Sequence, residues 1–411
     1  MTYKKRLITA IATGAVLLNA LAPLALADTL TVTGNGALSN NTANLSNSVN
    51  TTVAQTNSAN ITNNVKTSSD TGNNSASFNT GGQTAIVTGN STSDVNVSTA
   101  ANLNKVTVDP CACDGGNTTV NISGNGAESA NNANVNKTND VVVAQTNDAN
   151  INNNVDTKAN TGNNDAAFNT GGNTIVKTGD ASSNVTVSNA ANANVAQVGG
   201  ASASTGSDSS VKIAGNGALS DNYASLNNNS AVVVAQANQA AVDNHISTKE
   251  VTGNNSADYS TGGTTYINTG NASSNVGVDN LVNFNAADVS CGCVIGGGTD
   301  LKIGANGALS YNSLSADNNN NLGVANTNYA DLLNNLQSKQ QTGTNAVSFS
   351  TGSVYGDPTV FTGDSNASTD VTNTGNVNLV NQGASLTLPG GLNLGVSFDL
   401  NGLMGGLFGW M

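Results

Sequence analysis

Thr71-Gly-Asn-Asn-Ser-Ala-Ser-Phe-Asn-Thr-Gly-Gly82 returns as Thr161-Gly-Asn-Asn-Asp-Ala-Ala-Phe-Asn-Thr-Gly-Gly172 and as Thr252-Gly-Asn-Asn-Ser-Ala-Asp-Tyr-Ser-Thr-Gly-Gly263. A worn copy runs Thr342-Gly-Thr-Asn-Ala-Val-Ser-Phe-Ser-Thr-Gly-Ser353, and successive copies start 90, 91 and 90 residues apart. A near-constant period of this kind marks a repeat architecture, in which each unit buries its apolar face on its neighbour. Four units follow, at 28–116, 117–209, 210–298 and 299–382, within one repeat domain spanning 28–382.

Composition bears on the kind of core. Aromatic residues are 4% of the 411 and charged residues 9%, too few large side chains for an ordinary globular interior. Polar low-complexity chains are often disordered. Here, however, proline is only 4 residues, and the aliphatic residues sit at fixed places in every unit, which favours an ordered repeat.

Each unit opens on a short alternating run: Leu30-Thr-Val-Thr, Val120-Asn-Ile-Ser, Val211-Lys-Ile-Ala and Leu301-Lys-Ile-Gly. The first and third positions stay aliphatic while the second varies (Thr31, Asn121, Lys212, Lys302). That is a half-buried strand. Asn-Gly-Ala follows, starting at Asn35, Asn125, Asn216 and Asn306, and reads as a tight turn. A second apolar patch runs through Val53-Ala-Gln-Thr-Asn57 and its copies. One aromatic per unit (Phe78, Phe168, Tyr259, Phe349) keeps its place while its neighbours change, so these four are expected to be inward core anchors.

A finer period lies inside the unit. Ser39–Val49 aligns with Gln55–Val65 at a shift of 16 residues, and Asn74–Phe78 follows 17 further on. Read as winding, this gives about five short turns per unit. The fold class expected is all-β: a β-solenoid (β-helix-like) of four ~90-residue repeats, each about five short turns. With about 20 turns at about 4.8 Å each, the rod would be on the order of 90–100 Å long. Asn, Ser and Thr suit such stacking because their side chains form ladders. A helical reading fails on propensity and on the lack of a 3.6-residue stripe. A string of small sandwich domains lacks a large-residue core.

The two ends differ from the repeats. Residues 1–27 read as a cleavable signal peptide: Lys4-Lys5-Arg6, an apolar run from Leu7 to Leu26, and Ala25-Leu26-Ala27 before Asp28. The chain would then be secreted, to the extracellular space or the cell surface, with no transmembrane span. Cleavage leaves 9 Lys and 25 acidic residues, a net charge of −16. That balance excludes nucleic acid and anionic membrane as partners. Residues 383–411 form an apolar, Gly-rich C-terminal cap or docking segment. A capping strand alternates through Leu392, Leu394, Val396, Phe398 and Leu400, and Leu403, Leu407, Phe408 and Trp410 are docking candidates.

Chemistry-bearing residues are sparse, and the reading assigns no catalytic residue, no cofactor and no repeat-wide metal site. Cys111-Ala-Cys113 and Cys291-Gly-Cys293 are disulfide or cross-link candidates, in a compartment that favours disulfides. A local loop staple, a covalent link between molecules, and a metal held by four thiolates all stay open. The C-x-C spacing is not the C-x₂-C of zinc sites. Calcium-binding solenoids repeat an Asp after paired glycines, but Asp165 is matched by Ser75, Ser256 and Ala346. Only isolated Ca²⁺ sites therefore stay open. Asp180 and Asp364 alternate with Asn90 and Asn271, which reads as turn chemistry. The single histidine, His245, reads as a solvent-facing turn residue.

The motif Gln55-x-Asn57-x-Ala59, with its copies at Gln145 and Gln236, resembles curlin repeats, the β-solenoid subunits of secreted bacterial amyloid fibres. The resemblance implies stacked β architecture and a fibre role. The residues themselves point to a secreted, non-enzymatic surface or extracellular structural protein, adhesin-like. Its partners would be other surface or extracellular components, with self among them. A self-assembling, curli-like fibre subunit is the alternative. A polysaccharide-acting β-helix enzyme ranks third, because Arg is absent after residue 6 and Trp410 is the only tryptophan.

Overall fold

In the computed structural model, residues 7–8, 28–108, 118–199, 209–289, 299–351 and 358–381 are described, and every element among them is a strand. After a two-residue β1 (Leu7–Ile8), the four repeats lay down the same four strands. Layer 1 holds β2 (Asp28–Thr33), β3 (Asn40–Asp70), β4 (Thr84–Val87) and β5 (Ser91–Val108). Layer 2 holds β6 (Thr118–Ser123), β7 (Ala130–Asn160), β8 (Thr174–Lys177) and β9 (Ala181–Val198). Layer 3 holds β10 (Ser209–Ala214), β11 (Asp221–Val251), β12 (Thr265–Asn268) and β13 (Ala272–Val289). Layer 4 holds β14 (Thr299–Gly304), β15 (Tyr311–Gln341), β16 (Thr359–Phe361) and β17 (Ser365–Asn381).

Equivalent strands stack in parallel, layer upon layer, into four sheets. Val53 pairs with Val143, Val143 with Val234, and Val234 with Val324. The all-β solenoid expected from the repeats is therefore present. Its winding is not the one expected from the finer period. One complete repeat forms one layer, so there are four layers and not some twenty turns. At about 4.8 Å each, the stack is about 15–20 Å high, which replaces the long rod. The segments Ser39–Val49 and Gln55–Val65 do not lie over one another. From Asn40 on, both belong to the single 31-residue strand β3. A shift of 16 is even, so it keeps residues on the same face of a continuous strand without any turn.

Within a layer the chain folds into an arch, and its arms meet through side chains. β5 runs back alongside the second half of β3: Asn57 Nδ2 donates to Asn104 Oδ1 at 2.8 Å, Asn63 Nδ2 to Thr99 Oγ1 at 3.2 Å, and Thr71 Oγ1 to the Gly89 carbonyl at 3.0 Å. β2 covers the first part of the same face of β3. Backbone hydrogen bonds thereby run to the layers above and below, and the sheets are parallel because each repeat follows the path of the one beneath it.

The core follows this arrangement. Val120, Ile122, Ala133 and Val135 pack where the opening strand meets the long one, with Val211, Ile213, Ala224 and Leu226 in the layer above. Val141 and Val143 meet Ala196 and Val198, Val155 meets Val185 and Val187, and Ile151 meets Ala191. Ala166 and Val176 fill the far end of the arch. The aliphatic first and third positions of the opening run are buried in the two middle layers (Val120, Ile122, Val211, Ile213), and Lys212 points out. The side chains are small, yet repetition along the stack keeps each in contact with its own copies, about 25 cal/mol per Å² of apolar area removed from water.

Backbone conformation explains where the strands change direction. In the opening turn, positive φ falls on Gly34 (71°) and Leu38 (61°), beside the expected Asn35. Asn102, Asn192, Asn283 and Asn376 each take φ near 60° inside a strand. Burial passes from odd positions (Val95, Val97) to even ones (Val106, Val108) across Asn102. One left-handed residue per layer thus resets which side chains face inward.

Candidate functional site

The polar residues that suggested ladders do form them, mostly in the interior. Asn35 Nδ2 donates to Asn125 Oδ1 (2.9 Å), Asn125 to Asn216 (3.0 Å) and Asn216 to Asn306 (3.1 Å). Asn104, Asn194, Asn285 and Asn378 are linked in the same way at 3.0 Å each. Asn74, Asn164, Asn255 and Asn345 are linked at 2.9 Å. Columns starting at Asn41, Asn63 and Asn102 repeat the pattern. Each bond contributes about 1 kcal/mol net, and more would be lost if one buried partner were removed.

These six columns share a direction: every amide donates to the copy in the next higher layer. A glutamine column runs the other way, Gln145 donating to Gln55 at 2.7 Å and Gln236 to Gln145 at 2.8 Å. It ends at Asn326. One methylene shorter, Asn326 leaves its own amide atoms and Gln236 Oε1 without partners.

The aromatic residues are placed differently from expectation. Phe78, Phe168, Tyr259 and Phe349 are not core anchors. They stand outside on the turn after the long strand, with 75%, 45%, 46% and 76% of their surface exposed. All four have φ between 52° and 62°, a conformation that swings the side chain off the inward face and is costly for a bulky residue. They stack on one another, with centroids 4.9, 4.8 and 4.9 Å apart and planes within 8°. The constancy of this position from repeat to repeat thus reflects contact with its own copies. The two end rings are more exposed because each has one uncovered face.

Other expected residues fall as follows. Cys111, Cys113, Cys291 and Cys293 lie outside the described residues. The signal segment, apart from Leu7 and Ile8, and the tail with Leu403, Leu407, Phe408 and Trp410 also lie outside them. Asp165 is exposed and bridges Ser75 and Ser256 in a column. Among the described residues no cluster of three His, Cys, Asp or Glu side chains could hold a metal ion. His245 is exposed, on the outer face of β11 and not in a turn. Asp180 and Asp364 sit in one column with Asn90 and Asn271. The side chains of the lower three accept the backbone N–H of the layer above: Asp180 N to Asn90 Oδ1 at 2.9 Å, Asn271 N to Asp180 Oδ1 at 2.8 Å, and Asp364 N to Asn271 Oδ1 at 2.8 Å.

One buried acid went unnoticed in the sequence. Glu250 is fully buried in β11 below Gln340, whose Nε2 donates to Glu250 Oε2 at 2.8 Å. Burial pushes its carboxyl above the ordinary range, against hydrogen bonds from Ser183 and Gln340 that pull it down. The signal available was its column, in which Ala159 and Gln340 are the uncharged counterparts.

The surfaces these columns run into are the two ends of the stack. Among the described residues, a 31-residue strand at each end, β3 or β15, presents one edge that no other strand covers. Sheet edges of this length are templates for further pairing. No helix in the described residues is long and apolar enough to cross a membrane. Protein-family models, curated proteins and solved structures give no match to this chain.

Proposed function

We propose that this chain is a secreted, non-enzymatic structural protein that builds extracellular fibres by adding layers. The observation that carries the reading is the sameness of the layers. Layers 1 and 4 repeat the strands and aromatic position of the layers between them, and among the described residues only the two-residue β1 lies on an outer edge, beside β5. A parallel, in-register stack with Asn ladders is the arrangement that extends by template addition. The mature chain's negative charge keeps dilute copies apart and is screened at higher ionic strength. Fibre formation is tested with residues 28–411 at rising concentration, by electron microscopy, thioflavin fluorescence and fibre diffraction. Unbranched fibres with a meridional spacing of about 4.8 Å are expected. A chain that stays monomeric at all concentrations and salts sinks the reading.

An adhesin-like role is the second reading, and the outer wall supports it. Asn134 donates to Asn44, Asn227 to Asn136 and Asn228 to Asn318, each at 2.9 Å on the exposed face. Such columns repeat one polar group at the layer spacing and offer many weak contacts. Binding of monomer to glycan or cell surfaces, undiminished under conditions that block fibres, would favour it.

A further inference from the structure

We infer that the partner fitting the open face of layer 4 is layer 1 of a second copy, laid on it in the same direction and register, so that the assembly is polar. This rests on the fibre reading and specifies its contact. Two other pairings are conceivable, layer 1 on layer 1 and layer 4 on layer 4, and three observations separate them.

The first is the direction of the amide columns. Asn164 gives one amide hydrogen to the Thr161 carbonyl and the other to Asn255 in the layer above. Asn345 gives one to the Thr342 carbonyl, which leaves the other for a layer above it. At the opposite end Asn74 offers its carbonyl oxygen downward, as Asn164 does to Asn74. Layer 4 on layer 1 sets donors on acceptors. Like on like sets donors on donors or acceptors on acceptors.

The second is the Asn90–Asp180–Asn271–Asp364 column. Asn90, Asp180 and Asn271 each accept a backbone N–H from the layer above, and Asp364 ends the column. With Asn90 of the next copy above Asp364, the alternation of neutral and charged continues, and no carboxylate meets another.

The third is the room left for glycine. A Cβ on Gly72, Gly162 or Gly253 would come within about 2 Å of a backbone oxygen in the layer above, whereas one on Gly343 meets nothing. A Cβ on Gly126, Gly217 or Gly307 would strike the backbone of the layer below at 2.3–2.4 Å, whereas one on Gly36 meets nothing. Each end thus keeps a glycine that its own chain does not require sterically but that a neighbour of the stated polarity does.

The test uses residues 28–411 carrying Gly343→Ala or Gly36→Ala, with Gly89→Ala as a second layer-1 variant, since its Cβ also meets nothing. Each variant is expected to melt like wild type and to elongate at least tenfold more slowly. Mixed one to one, the Gly343→Ala and Gly36→Ala chains should form dimers that go no further, because one good face remains on each. Dimers of either variant alone, or elongation of both at the wild-type rate, would overturn the polarity while leaving the fibre reading intact. Wild type that elongates only after removal of residues 383–411 would assign layer 4 to the chain's own tail. Wild type that never elongates would remove the fibre reading itself, and the inferred contact with it.

Discussion

Phe168 and Tyr259 stack face to face, 4.8 Å apart and 1° from parallel, although each occupies the left-handed region at φ 58° and 53°. Stacking on both sides offsets a backbone conformation that costs a bulky residue about 1–2 kcal/mol. This produces an unusual order of substitutions. Phe168→Ala keeps the unfavourable φ and loses both ring contacts, so it should destabilise by about 1–3 kcal/mol. Phe168→Gly loses the same contacts but relieves the backbone, and should be the milder change. Denaturant midpoints of the two variants measure the difference; an alanine variant more stable than the glycine one would contradict it.

Asn194 tests the interior ladders. It is fully buried, accepts from Asn104 (3.0 Å) and Asn147 (2.8 Å), and donates to Asn285 (3.0 Å) and Asn238 (2.8 Å). Asn194→Ala strands several of these groups in the core. We expect a loss of about 2–4 kcal/mol, read from urea unfolding. The same change at Asn134, on the exposed face, should cost less than about 0.5 kcal/mol.

Glu250 makes stability depend on pH. Its carboxyl holds its proton to higher pH in the folded chain than its ordinary value of 4.5 allows, because burial disfavours the charge. Over the interval from 4.5 upward to its raised value the native state binds more protons than the unfolded one. Stability therefore falls as pH rises through that interval. Glu250→Gln extends the amide of Gln340 by one layer and removes the titration. The variant should be more stable than wild type at pH 7, and the gap should close toward pH 4. Equal midpoints at both pH values would count against this.

β1 bears on when assembly can start. Leu7 and Ile8 pair in parallel with Val97 and Ser98 on the free edge of layer 1. Val97 leads through Val187 and Val278 to Val371 at the other end of the stack. A chain that retains its first 27 residues therefore occupies part of the edge that Val371 of another copy would reach. Seeded elongation should be slower for residues 1–411 than for 28–411. Equal rates would show that the segment does not compete.

Much of the architecture could be read from residues such as Val32, Ile122 and Ile213, whose alternation marks half-buried strands. The winding could not. Between Asn40 and Asp70 there is no Gly or Pro, and that absence of breakers was the available sign of one uninterrupted strand. The internal shift of 16 obscured it, because any even shift preserves the face of a strand. Phe78 and its copies misled for a related reason. A position that stays aromatic in every repeat is equally consistent with a core ring and with an outer ring stacked on its own copies, and the deciding quantity is φ.

The sequence by itself determined the repeat, its period of about 90 residues, its strand character and the residue types that can ladder. These follow from local periodicity and from side chains too small and polar to support another kind of core. Only the tertiary structure decided that a whole repeat is one layer, that the aromatic ring faces outward, and that the six interior asparagine columns point one way. Each of those depends on which residues meet across 90 positions of chain, and the alternation of a strand carries no record of its distant partner.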